Sequence, residues 1–131
     1  MRRKFLTTAA VLTAGIASKA MALQNRKTKK QLVHHVFFWL KNPASVEDRD
    51  KLIEGLQTLS SISVIQKLHI GLPAATEKRD VVDASWGVSE LMLFDSVEDQ
   101  RTYQSHPAHL EFIKNYSHLW AKVLVYDVEE V

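Results

Sequence analysis

The order of apolar and capping patterns predicts an α+β domain, β-α-β-β-α-β, with two helices on one face of an antiparallel sheet. Three observations carry this. Four short runs rich in Val, Ile, Leu, Phe and Trp alternate with two segments of helical character. Each helical segment opens on a Ser-x-x-Asp capping signature, at Ser45 and at Ser96. The first strand is apolar on both of its faces, so the sheet face without helices also needs a cover. A second copy of the chain supplies that cover most simply, which predicts a homodimer with the two sheets packed together.

Leu32 to Lys41, LVHHVFFWLK, forms the first strand, ended by Asn42-Pro43. His34, Val36, Phe38 and Leu40 share one face, and Val33, His35, Phe37 and Trp39 share the other. Either Phe37 with Trp39, or Phe38 with Leu40, fills the face away from the helices. Ser45 then caps a helix running to about Leu59, with Val46, Leu52, Ile53, Leu56 and Leu59 as its apolar stripe. Val64 to Ile70 is the second strand, stopped at Gly71-Leu72-Pro73, and the polar segment Ala74 to Ser85 has no periodicity and reads as a loop. Trp86 to Phe94 is the third strand and Val123 to Val128 the fourth. Between them Ser96 starts the second helical region, which Pro107 interrupts. Proline lacks the N–H an unbroken helix needs there, so the helix either restarts with Pro107 at its first position or kinks.

The chain has 131 residues, enough for one ordinary domain. Eight of its 17 Lys and Arg residues lie within the first 30 positions, where no acidic residue occurs. The remaining 9 face 15 acidic groups, which leaves residues 31–131 near −6. A domain that acidic is a poor match for a phosphate backbone, so no nucleic-acid partner is expected. The absence of cysteine excludes disulfides, a thiol nucleophile and cysteine-ligated metal. Residues 1–22 have a basic start, an apolar run from Phe5 to Ser18 and a small-residue end at Ala20-Met21-Ala22, the layout of an export signal. Arg2-Arg3-Lys4-Phe5-Leu6 resembles the twin-arginine type. Periplasmic or secreted localisation is therefore expected, with no stable membrane association after cleavage; a retained anchor is the alternative. Residues 23–31, with the cluster RKTKK, read as a basic polar linker.

The densest set of proton-handling side chains lies in Phe94 to Tyr116. Tyr103, His106 and His109 are spaced by three and can lean to one side. An imidazole takes or gives a proton near neutral pH, and a phenol hydrogen-bonds a developing oxyanion. With His34 added, the expectation is a cavity between sheet and helices in which His109 is a general base and Tyr103 its oxyanion partner. His106 is either a ligand-binding residue or a helix-start residue bonded to the backbone around Pro107. Trp86, with Trp39 and Trp120, could line an apolar pocket or serve as core. His106 and His109 could share a metal ion by spacing, but no carboxylate-plus-His motif accompanies them, and no metal or cofactor is expected. No phosphate-binding glycine loop, serine elbow or dinucleotide fingerprint is present.

His34-x-Val36-Phe37-Phe38-x-x-Lys41, the Gly71 turn, Phe94-Asp95-Ser96, Tyr103-x-x-His106-Pro107-x-His109 and the ending Val123-x-Val125-x-Asp127-x-Glu129 together resemble the stress-responsive A/B barrel (Dabb) family. The resemblance implies a ferredoxin-like sandwich over residues 32–131 that dimerises into an α+β barrel. It also implies a pocket in which the residues matching His109 and Tyr103 act together and His34 lines the wall, as in a ring-closing polyketide cyclase of the family. That cyclase has a further histidine on the third strand, where Val88 stands here. Two functions stay open. One is a dimer binding a small apolar or aromatic molecule, with cofactor-independent acid–base lyase or cyclase activity, or with monooxygenase activity as in another branch of similar barrels. The other is a noncatalytic stress or scaffold dimer.

Overall fold

The computed structural model describes residues 29–131, and the chain divides into units 1–30 and 31–131. The export-signal expectation for residues 1–22 and most of the linker fall outside the described residues. The second unit runs β1 (Leu32–Leu40), α1 (Val46–Gln57), a 3-10 turn (Thr58–Ser61), β2 (Lys67–Gly71), β3 (Val88–Phe94), α2 (Val97–Gln104), α3 (Pro107–Tyr116), a second 3-10 turn (Ser117–Leu119) and β4 (Trp120–Glu129). The four strands make one antiparallel sheet in the order β2-β3-β1-β4. This is the ferredoxin-like α+β arrangement, with the second helical region split in two.

Burial along β1 alternates without a break, which decides which row faces the helices. Leu32, His34, Val36, Phe38 and Leu40 are buried, while Val33, His35, Phe37 and Trp39 are only half-buried on the other face. The inward row packs with Leu52, Leu56, Leu59, Ile62, Val88, Met92, Phe94 and Phe112. Val46, placed in the α1 stripe by its spacing, is the first helical residue and is exposed. Gly55 lets α1 and α3 approach: a Cβ there would lie 2.7 Å from Cγ of Tyr116.

Both capping signatures operate. Ser45 Oγ accepts the Asp48 N–H and Ser96 Oγ accepts the Asp99 N–H, each at 3.1 Å. At Pro107 the helix restarts. His106 is extended (φ −63°, ψ 137°), as expected of a residue before proline, and Pro107 begins α3. The restart turns the chain, so α3 does not continue the line of α2. β2 starts three residues later than Val64, and β4 starts three residues earlier than Val123, at Trp120.

Candidate functional site

Between the sheet and the two short helices lies a cavity of about 140 Å³. Its inner wall is built by His34 and Val36 of β1, Glu90 of β3, Tyr103 of α2 and His109 of α3. Exposed Ile113, Val123 and Val125 stand at its outer part. The helix break at Pro107 makes this possible. It lets α2 deliver Tyr103 and α3 deliver His109 to one point, with ring centroids 4.5 Å apart. His34 meets the Tyr103 ring edge-on, with centroids 5.7 Å apart.

Hydrogen bonds fix the state of each imidazole. His109 Nδ1 lies 2.9 Å from the backbone carbonyl of Gln104. A carbonyl only accepts, so Nδ1 carries the proton and Nε2 is left as the basic nitrogen. Burial lowers the pKa of His109 below the ordinary imidazole value. The Gln104 bond opposes that shift without overcoming it, and the nearby His34 adds to it. His109 is therefore neutral and able to accept a proton at neutral pH. His34 Nδ1 is 2.6 Å from Asp127 Oδ1 on β4, which fixes its tautomer in the same way. The register that pairs His34 with Asp127 puts both on the inward face.

Three contributors were given no site role from the sequence. Glu90 is 1% exposed, and the Tyr103 hydroxyl donates to its Oε1 at 3.3 Å. Burial pushes the Glu90 carboxyl from an ordinary 4.5 up to about 7, with the Tyr103 bond opposing by less. The same burial, with the Glu90 charge and hydrogen bond added, raises the Tyr103 phenol well above its ordinary value. Asp127 and the Gln104 carbonyl are the other two.

His34, Tyr103 and His109 are thus brought together, whereas His106 and Trp86 lie elsewhere. Of the two roles open to His106, its geometry is that of the helix-start residue. It does not line the cavity, and its Nδ1 accepts the Ala108 N–H at 3.0 Å, capping α3. Trp86 precedes β3, so strand alternation does not apply to it. It crosses to the opposite sheet face, where its ring meets Phe37 at 5.1 Å and its Nε1 donates to the Asp83 carbonyl at 2.9 Å. Val88 is fully buried in the core and does not line the cavity.

The fold and site define a ferredoxin-like α+β domain with a helix-side cavity lined by imidazole, phenol and carboxyl groups. Residues 32–130 match Dabb, the Stress responsive A/B Barrel Domain, and the chain belongs to that family. No curated protein matches it significantly. Among solved structures it is similar to a Dabb family protein with a ferredoxin-like fold from Mesorhizobium loti, at 20% identity over 76% of this chain and 96% of that one, TM-score 0.62. It is similar also to hydroxynitrile lyase from Passiflora edulis, at 22% identity over 79% and 95%, TM-score 0.66. A third is a dimeric protein of unknown function with a ferredoxin-like fold from Bacteroides fragilis, at 23% identity over 76% and 95%, TM-score 0.57.

Proposed function

We propose that this chain is an exported homodimer that binds a small apolar or aromatic molecule in the helix-side cavity and performs acid–base lyase or cyclase chemistry on it. The observation that carries the proposal is the meeting of His34, Tyr103 and His109 around one cavity whose other lining, apart from Glu90 and Gln104, is apolar. A cavity of about 150 Å³ is large enough for benzene, and this one, at about 140 Å³, is close to that size. A solid core at this point would have favoured the noncatalytic scaffold reading. His109 is the base: neutral, with Nε2 as its acceptor, it takes a proton from a ligand hydroxyl or from a carbon beside a carbonyl. The Tyr103 phenol is the donor for the oxygen on which negative charge collects. The lyase from Passiflora edulis gives such a reaction a precedent on this fold. Dimerisation is supported by the half-buried aromatic sheet face and by the dimeric neighbour. Export rests on residues 1–22, and a mature N-terminus at Leu23 would test it.

The test of the site combines benzamide binding, followed by NMR, with cleavage of mandelonitrile, followed by benzaldehyde release. His109→Ala is expected to lower turnover by about 10² or more while benzamide still binds. Tyr103→Phe is expected to lower it by about 10². If both variants bind and turn over like the parent, these residues do not form the site.

A further inference from the structure

The acid–base scheme leaves one buried ionisable group of the cavity without a task. Glu90 projects from β3 into the wall shared with His34 of β1, Tyr103 of α2 and His109 of α3. Its strand neighbours in register are Val36 of β1 and Ile70 of β2, and β4 faces the cavity with Val123 and Val125. The titratable groups around it are therefore two imidazoles and one phenol. Both imidazoles have Nδ1 engaged elsewhere, His34 by Asp127 and His109 by the Gln104 carbonyl. No lysine or arginine lines the cavity.

A phenol has a single proton to give. While Glu90 is ionised, Tyr103 directs that proton to it, as the 3.3 Å contact records, and offers the cavity only lone pairs. Once Glu90 is protonated, its own O–H, the stronger acid, donates to the phenol oxygen, and the phenol proton turns toward the cavity. The contact is longer than the roughly 2.5–2.7 Å of a charge-assisted O–H···O⁻ bond, so it does little to hold the carboxylate form. We infer that Glu90 is the positioning and specificity residue of this cavity: protonated, it frees Tyr103 to donate to a ligand oxygen, and an aromatic anion enters only together with a proton held on Glu90. The inference rests on the small-ligand reading above. Burial, which brings the Glu90 carboxyl up to about 7, puts the exchange in the neutral range.

The test uses the full-length protein and two ligands of one shape and different charge, benzoate and benzamide, titrated calorimetrically between about pH 6 and about pH 9 in buffers of different ionisation enthalpy. Benzoate affinity is expected to fall about tenfold per pH unit above about 7, with uptake of about one proton on binding. Benzamide is neutral and can offer either its oxygen to the phenol proton or its N–H to the phenol lone pairs, so its affinity is expected to change by no more than about threefold over that range. Glu90→Gln should flatten the benzoate profile above neutrality and abolish the proton uptake, while retaining benzamide. Tyr103→Phe, which leaves the carboxyl in place, should keep the slope and weaken both ligands. If Glu90→Gln reproduces the parent benzoate profile while both ligands bind, the role of Glu90 is wrong and the binding reading survives. If neither ligand binds at any pH, the binding reading falls and the Glu90 inference falls with it.

Discussion

At about pH 8, Glu90→Gln is expected to raise the unfolding free energy by about 3 kcal/mol, and at about pH 4 to leave it nearly unchanged. The reason is a carboxyl that folding carries into an apolar wall with no cation beside it. Its value rises from 4.5 to about 7, with burial as the largest cause. A carboxyl raised in this way binds its proton more tightly in the folded state than in the unfolded one. Its full contribution is present below about pH 4.5 and is lost as pH rises to about 7, the two values that bound the shift. Glutamine keeps the size of the side chain and an oxygen to accept the Tyr103 hydroxyl, but cannot ionise. Every other titrating group is common to the two proteins, so it cancels when their stabilities are subtracted at each pH. Urea unfolding at both pH values reads the difference directly. An equal difference at the two pH values would show that the folded carboxyl is not perturbed.

Glu90 also shows why part of the site escaped sequence reasoning. Attention to residue types that move protons at neutral pH finds His34, Tyr103 and His109, because imidazole and phenol announce that chemistry wherever they stand. A glutamate does so only once its burial is known. The signal was present: Val88, Glu90, Met92 and Phe94 form one alternating row, and an acid among three inward apolar residues is anomalous. Asp127 gave the same hint in the row Val123, Val125, Asp127, although its partner His34 lies 93 residues away in sequence. Gln104 contributes through its main-chain carbonyl, for which no side-chain pattern exists. His106 is the converse case. Its residue type suggested the cavity, but the proline that follows it forces an extended backbone, and its ring caps the next helix instead.

The fold itself was largely legible, since its order follows from local periodicity and two caps. Two choices were not. Because β1 is apolar on both sides, alternation identified its two rows without saying which one meets the helices. That is settled by position: the inward row lies opposite Val88, Met92 and Phe94 through the β1–β3 register. Restart versus kink at Pro107 likewise depends on where α3 finds its partners, Tyr103 and Trp120 among them, and not on the proline alone. The limits of β2 and β4 moved by three residues because pairing partners, more than composition, end a strand.

Phe37→Glu is expected to turn a dimer into a monomer whose fold is unchanged. Phe37 lies at the middle of β1 on the sheet face opposite the helices, with His35 at 4.2 Å, Trp86 at 5.1 Å and Tyr126 at 6.2 Å between ring centroids. Leu124, Tyr126 and Val128 of β4 extend that face, and the last two remain exposed. The segment around Ser85 and Trp86 reaches over it, through the Trp39–Ser85 hydrogen bond and the Trp86 ring, and Lys122 Nζ lies 4.5 Å from the centre of the Trp39 ring. An apolar surface of this kind is stable in water when a like surface covers it. In a two-fold dimer the same residue enters the interface from both copies, so one substitution buries two carboxylates. A buried charge without a partner costs about 3–5 kcal/mol, and even one such term weakens association by about 10² or more. Within a monomer the new carboxylate sits at a half-buried position on the outer face and can turn to water, so the core on the other side of the sheet is untouched. Sedimentation of parent and variant, with far-ultraviolet circular dichroism as the check on folding, decides the matter. A monomeric parent would overturn the dimer itself, and a variant that still dimerises with the parent's affinity would place the subunit contact away from this face.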